Sequence, residues 1–277
     1  MIASKKMNLD GTVWFSVLVI GVFIMLLPFV WMLLTSFKTL PEVLRIPIKW
    51  LPGRLGLDNY KEVLQTLNFK KYYLNTIIVT ASITLGQLFL CSLSAYSFAR
   101  LKFFGRDVIF YSLLCVLMVP PQMTLIPRYL MMNSFRWIDS FLALVVPSIP
   151  SAYGTFFLRQ FFKTLPKELE DSAKIDGCSY FRTYWSILLP LCKSALVAYG
   201  IIAVLWAWND LLWPLIITST DKMRVLSIAM ATLQGENTTQ FHLLMAASVM
   251  STLPMIMMFV IGQKYFIAGI ALTGIKA

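Results

Sequence analysis

Charge is what this sequence has least of. Asp, Glu, Lys and Arg make up 13% of its 277 residues and hydrophobic types 58%, whereas a water-soluble chain of this length needs roughly a quarter of its residues charged. The few charges gather between long apolar runs, so lipid is the solvent for most of the chain and the charged stretches are loops. Histidine is scarcer still. The single one, His242, leaves no Ser-His-Asp or metal-ligating constellation, which argues against an intramembrane enzyme and leaves no candidate metal site. The four cysteines, Cys91, Cys115, Cys178 and Cys192, contain no Cys-x-x-Cys pair, so no disulfide framework is implied. No G-x-x-x-x-G-K-[ST] occurs, so any energy from ATP must come through a partner. A soluble domain, a low-complexity tract and an internal repeat are missing too, and the last is a feature of many secondary transporters.

What charge there is leans positive, by +11. No aromatic-basic RNA motif or zinc spacing accompanies it, which excludes nucleic acid as the natural partner. Lys and Arg on cytoplasmic loops facing anionic headgroups explain the balance better. Near the N-terminus Lys5 and Lys6 precede an uncharged run from Gly11 to Phe37. That run is too long for a signal-peptide core and lacks a small-x-small cleavage site, so it is expected to be an uncleaved first helix.

A membrane-spanning helix needs about 20 mostly apolar residues. Charge-free runs of that size predict an all-α polytopic membrane protein with six spans, near residues 12–34, 72–99, 108–130, 140–158, 192–218 and 241–263. The fourth is bounded by Asp139 and Arg159. The third holds Pro120, Pro121 and Pro127; each removes a backbone donor, so this segment should face protein or a cavity. The fifth carries Asp210, a charge that must face water or a partner. Orientation with the N-terminus inside suits most Lys and Arg. The first loop, with Lys38, Arg45, Lys49, Arg54, Lys61, Lys70 and Lys71, runs against the bias. Its Pro and Gly content, with Pro41, Pro47, Pro52, Gly53 and Gly56, predicts an ordered but irregular extramembrane cap.

The most charged stretch is L-P-K-E-L-E-D-S-A-K-I-D-G-C-S-Y-F-R-T-Y-W-S-I-L-L-P, residues 165–190. Pro166 suits a first helical position, and Glu168, Glu170 and Asp171 then sit where a helix macrodipole favours negative charge. Gly177 can supply the left-handed residue that ends this helix, and Ser179 can cap a second one carrying Tyr180, Phe181, Tyr184, Trp185 and Leu188. Small residues, Ser172 and Ala173, beside the carboxylate of Asp171 would let another protein's backbone approach and offer an Arg. The competing reading is an amphipathic helix lying in the headgroup region.

This segment resembles the EAA loop of binding-protein-dependent ABC importer permeases: E-A-A, three residues, G, nine residues, I-x-L-P. Asp171, Ser172, Ala173, Gly177, Ile187, Leu189 and Pro190 occupy those positions with the spacing intact. Asp171 replaces the usual Glu and Ser172 the usual Ala, keeping a carboxylate and a small side chain. With W-N-D-L-L-W-P-L at 208–215 and G-I-A-L-T-G-I-K at 269–276, the resemblance runs over the whole chain and is similar to maltose-type sugar permeases of the type I fold, with one helix ahead of a five-helix core. It implies residues 1–70 as cytoplasmic N-terminus, first span and external loop, 71–266 as the core with a coupling loop at 163–190, and 267–277 as a cytoplasmic tail. The implied ATPase-docking set is Glu170, Asp171, Ser172, Ala173, Asp176, Gly177, Ile187, Leu189 and Pro190. Asp171 would pair with a basic residue of the ATPase, Gly177 would permit the turn, and the I-L-L-P end would fix the loop to the fifth span.

The implied partners are a second homologous permease, two cytoplasmic ABC ATPases that bind the ATP and magnesium, an extracellular sugar-binding protein, and lipid. The chain itself is expected to carry no cofactor and no enzymatic activity, and to sit in the cytoplasmic membrane with both termini in the cytoplasm.

On the fifth span Tyr199, Trp206 and Trp213 recur every seven residues with Asn209 and Asp210 between, so Tyr199, Trp206, Asp210 and Trp213 should share a helix face. Stacking aromatics beside a carboxylate suit a sugar path, and Tyr199, Trp206, Asn209, Asp210 and Trp213 are its candidate lining. Equally, the indoles can form an interfacial belt while Asp210 caps or pairs structurally. His242 is expected at an interface, and Gln87, Asn75 and Gln122 are amides that usually bond a neighbouring helix. Three rivals remain: an ABC permease for a non-sugar solute, an ion-driven secondary transporter, and a receptor or scaffold without flux.

Overall fold

The computed structural model describes residues 9–66, 68–235 and 239–274; Lys5, Lys6 and Lys276 lie outside them. Among the described residues the chain is helical throughout, its only strand-like pairing an isolated bridge between Gln234 and Thr239. Three helices are long and apolar enough to cross a membrane, Val13–Thr35, Phe69–Arg100 and Phe241–Gln263. Three bent pairs pass the same test, Arg106–Met118 with Pro121–Ser134, Phe141–Ser148 with Ala152–Thr164, and Tyr180–Leu191 with Lys193–Asn209. Among the described residues up to six spans are therefore possible, five of them overlapping the charge-free runs closely, while the run expected at 192–218 is divided between the Lys193–Asn209 and Leu212–Ile217 helices.

The bends have local causes. Pro120 and Pro121 break the third segment by 101°, since neither ring nitrogen can donate to the preceding turn. The expectation that this segment is covered is not met by the chain's own helices, because Met118, Met123 and Ile126 are exposed. The fourth segment bends by 44° beside Pro147 and Pro150, and Ser151 restarts the helix by accepting from the Gly154 N–H at 3.0 Å. It also runs on past its expected end to Thr164. Arg159 did not mark that end because its guanidinium turns inward, donating to the Phe98 carbonyl at 3.1 Å and lying 3.8 Å from the Phe110 ring centre. The helix that begins at Phe241 continues to Gly274.

The chain divides into two compact units, Met1–Phe69 with Met230–Leu253, and Lys70–Ala229 with Pro254–Ala277. In the first, the loop after the Leu9–Thr35 helix is tied by its own polar groups. Glu42 accepts from the Thr39 N–H at 3.1 Å, the Gly53 N–H at 3.0 Å and the Lys49 ammonium at 3.1 Å. Those hydrogen bonds, the Thr39 backbone one foremost and then the Lys49 ammonium, hold its carboxyl below the usual glutamate range. Lys38 is buried, donates to the Lys49 carbonyl at 2.7 Å and lies 4.1 Å from the Trp31 ring centre. Asn59 holds the carbonyls of Ser36 and Lys38 at 2.8 and 2.9 Å. Lys38 and Lys49 are thus structural cations of an ordered cap, which accounts for two of the basic residues that run against the orientation bias.

The second unit is built on the Phe69–Arg100 helix, which serves two apolar clusters. One joins its Cys91, Ala95 and Tyr96 to Leu158, Phe162, Tyr184, Leu188, Tyr199 and Ala203; the other joins its Val79 and Ile83 to Met132, Leu144, Trp213, Ile217 and Ile228. The same helix holds a distant loop through Asn75, whose amide donates to the carbonyls of Lys222 and Arg224, both at 2.9 Å. Asp139 holds that loop from its other side, accepting from the Ser219 and Thr220 N–H groups at 3.0 and 3.1 Å.

Candidate functional site

The 163–190 loop folds as two short helices. The first, Glu168–Ile175, starts two residues later than Pro166 suggested. Lys167 occupies its N-cap and its carbonyl accepts from the Glu170 and Asp171 N–H groups, while Glu168, Glu170 and Asp171 complement the helix dipole. Its end follows from Gly177, whose φ of +75° only glycine adopts without strain. The Gly177 N–H then reaches the Lys174 carbonyl at 3.0 Å and the Cys178 N–H the Ala173 carbonyl at 2.9 Å, the paired bonds of a Schellman end. Ser179 caps the next helix, its hydroxyl accepting from the Arg182 N–H at 3.3 Å.

Beyond it the backbone widens into a π turn over Tyr184–Leu188, just before Pro190, which cannot donate to the Ser186 carbonyl. The chain then bends by 80° into Lys193–Asn209. Ile187 and Leu189 pack part-buried against the first cluster, while Pro190 is exposed.

Burial sorts the candidate residues into two faces. Asp171, Ser172 and Asp176 point outward, and Asp171 keeps 69% of its side chain exposed beside Lys174 at 3.9 Å. An exposed pair at that distance adds little, so the carboxylate stays available. Ala173 is buried, and Glu170, at 13% side-chain exposure, lies 3.1 Å from Arg100 Nε. Both therefore leave the outward surface, because an eight-residue helix must spend one face on its own core. Ile175, 86% exposed, takes their place. It lies one turn beyond Asp171 and was legible as the one large apolar residue on the Asp171 face.

The second candidate site is a cavity of about 450 Å³ lined by Ile83, Gln87, Ser148, Ala203, Leu205, Trp206, Ala207, Asn209 and Asp210. Trp206, Asn209 and Asp210 thus reach the cavity. Tyr199 and Trp213 do not line it: both are buried, Tyr199 in the first cluster and Trp213 in the second, where its indole N–H donates to the Ala143 carbonyl at 3.0 Å. Tyr199 and Trp206 do share a face of the Lys193–Asn209 helix, both packing on Tyr153, and Trp213 leaves it because the helix stops at Asn209 and resumes at Leu212. Pro214 has no N–H to offer the Asp210 carbonyl four residues back, and the Ser227 hydroxyl serves it instead at 2.7 Å. The Asp210 carboxylate faces the Trp213 N–H at 3.4 Å, so this residue both caps the break and lines the cavity.

Tyr199 acts at one remove. Its hydroxyl donates to Gln87 Oε1 at 2.7 Å while Gln87 Nε2 donates to the Ser148 carbonyl at 2.7 Å, fixing the amide at the cavity wall. Arg128, missed at the sequence level, stacks 4.2 Å from the Trp213 ring centre within reach of Ser148 Oγ and of the Asp210 charge. Among the described residues no group of His, Cys, Asp and Glu is placed to hold a metal ion.

Residues 87–271 match the family described as binding-protein-dependent transport system inner membrane component. The chain is 34% identical over 254 residues to the arabinooligosaccharides transport system permease protein of Bacillus subtilis, covering 91% of this chain and 90% of that one. It is 29% identical over 266 residues to the sn-glycerol-3-phosphate transport system permease protein of Brucella abortus, covering 93% and 94%. A chain of a bacterial ABC transporter involved in the import of the acidic polysaccharide alginate shares its fold, with a TM-score of 0.83 at 22% identity over 96% of this chain and 99% of that one. With helices apolar enough to span the membrane and a loop of the EAA spacing between the fourth and fifth segments, this chain belongs to the inner-membrane permeases of binding-protein-dependent transport systems.

Proposed function

We propose that the chain is one of two permease subunits of an ATP-driven carbohydrate importer in the cytoplasmic membrane. Its partners are a second, homologous permease, two cytoplasmic ABC ATPases and an extracellular sugar-binding protein, and both termini lie on the cytoplasmic side. ATP and magnesium belong to the ATPases. This chain supplies the docking helix, whose Asp171, Ser172, Ile175 and Asp176 enter a cleft of the ATPase, and part of the path, where Trp206 offers a stacking face and Asn209, Asp210 and Gln87 offer hydrogen bonds to hydroxyls. Closure of the ATPases on ATP moves the docking helices and exposes the path alternately to the two sides.

The observation that carries this reading is the outward acidic face of the Glu168–Ile175 helix, ended at Gly177 in the motif's register. The likeness to an arabinooligosaccharide permease supports the choice of a sugar, and the likeness to a glycerol-3-phosphate permease supports an anionic solute as the second reading. The test is ATP-driven uptake by the reconstituted complex with its binding protein, using arabinotriose and sn-glycerol 3-phosphate. Uptake of the sugar is expected; uptake of the phosphate ester alone favours the second reading, and uptake without the ATPase, collapsed by ionophores, overturns both.

A further inference from the structure

The C-terminal end of the Phe69–Arg100 helix presents Ser92, Tyr96 and Arg100 at four-residue intervals, hence on one face. That face holds the 163–190 loop at its first helix and at the π turn that follows the second. Ser92 Oγ lies 2.8 Å from the Tyr184 hydroxyl, and Tyr96 packs with its ring centre 5.3 Å from that of Tyr184 and 6.1 Å from that of Phe162. Arg100, its side chain 5% exposed, donates from Nε to the Phe162 carbonyl at 2.9 Å and from Nη2 to the Leu165 carbonyl, and lies 3.1 Å from Glu170 Oε1. The Phe162 carbonyl lies in the last turn of the Ala152–Thr164 helix, where it also accepts from the Leu165 N–H at 3.4 Å, and the Leu165 carbonyl lies just beyond that helix. One guanidinium thus joins three segments: the Phe69–Arg100 helix, the end of Ala152–Thr164 and the loop helix.

We infer that Arg100 and Glu170 form a positioning clamp that carries movement of the loop helix into the Phe69–Arg100 helix, and that Glu170 belongs to the permease side of the dock rather than to its ATPase-facing surface. The inference rests on the proposal that the outward face of the loop helix engages an ATPase. Apart from this pair the inward face of the helix offers Leu169 and Ala173, small contacts about which an eight-residue helix can roll. A half-buried carboxylate held by a buried guanidinium resists that rotation, because separating the two charges leaves both poorly solvated. The Phe69–Arg100 helix that receives the movement also supplies Ile83 and Gln87 to the cavity, so the clamp lies on a continuous helical path from the dock to the proposed solute path.

The test uses the assembled complex with a single reporter thiol from Leu205→Cys, in a background without the native cysteines, and follows its labelling rate by a maleimide with and without ATP and vanadate. With Glu170 intact the nucleotide is expected to change that rate about tenfold, the scale of coupling between distant sites. Glu170→Gln, which keeps the shape but removes the charge that faces Arg100, should retain part of the change. Glu170→Ala and Glu170→Lys should lose most of it while the ATPase still co-purifies and hydrolyses ATP. Wild-type response in the Ala and Lys variants overturns the clamp, and so does loss of the ATPase from them, which would make Glu170 a docking contact. Asp171→Arg separates the two proposals: retention of the ATPase by that variant defeats the docking reading itself, whatever the Glu170 series does.

Discussion

Gly177→Ala isolates the backbone cost of ending the loop helix from side-chain packing. At φ +75° a Cβ added to Gly177 meets no atom within 4 Å, so the penalty is that of an L-residue in left-handed backbone, about 1 kcal/mol. Such a cost falls on the local equilibrium that opens the Schellman end, and 1 kcal/mol raises the open fraction about fivefold. The amides to watch are those of Asp176 and Cys178, whose hydrogen bonds to the Ser172 and Ala173 carbonyls, at 3.0 and 2.9 Å, close the helix. Hydrogen exchange on the purified complex should show both exchanging about fivefold faster in the Ala variant. Gly177→Asn should show a smaller increase, since Asn tolerates left-handed backbone better. Unchanged exchange in the Ala variant, or an Asn variant as fast as Ala, refutes the argument from φ.

Gly154→Ala probes steric closeness instead: a Cβ there would stand 2.1 Å from the Tyr199 hydroxyl oxygen, and overpacking with disruption of the Tyr199–Gln87 hydrogen bond should cost about 2–4 kcal/mol, read as a lowered Tm in detergent. Asn75→Ala removes both hydrogen bonds to the 222–224 loop and should accelerate tryptic cleavage after Lys222 and Arg224, by an amount that Asn75→Asp does not restore because a carboxylate cannot donate. Glu42, held below its ordinary range chiefly by the Thr39 N–H and then by Lys49, stabilises the first loop above its unfolded pKa. That contribution disappears as pH falls through the depressed folded value, so acidification should perturb Trp31 and Trp50, whose ring centres lie 5.2 Å apart, in fluorescence. Glu42→Gln should flatten that response.

Much of this was legible in the sequence because the signals were local. Charge-free length located the spans, Gly177 and Ser179 announced a helix end and a cap, and motif spacing identified the loop. What escaped was decided by tertiary partners. Nothing local says that Glu170 turns toward Arg100, 70 positions away, while its neighbour Asp171 turns outward; the eight-residue helix has room for one buried face, and Arg100 fixes which. The seven-residue repeat of Tyr199, Trp206 and Trp213 promised a single face; Tyr199 and Trp206 keep it, but Trp213 lies beyond the break at Asn209, where Pro214 offers the Asp210 carbonyl no backbone donor and the Ser227 hydroxyl serves it. Arg159 looked like a boundary since arginine rarely sits within a span, yet a backbone carbonyl and an aromatic ring receive its guanidinium.

The docking surface itself is tested most directly by a photo-crosslinking amino acid in place of Ile175, irradiated in the assembled complex in a native-like bilayer. The expected product is a covalent adduct with the ATPase, while the same probe in place of Leu169 on the inward face gives none. Adducts from position 175 with lipid alone would place the helix in the headgroup layer and contradict the proposed coupling.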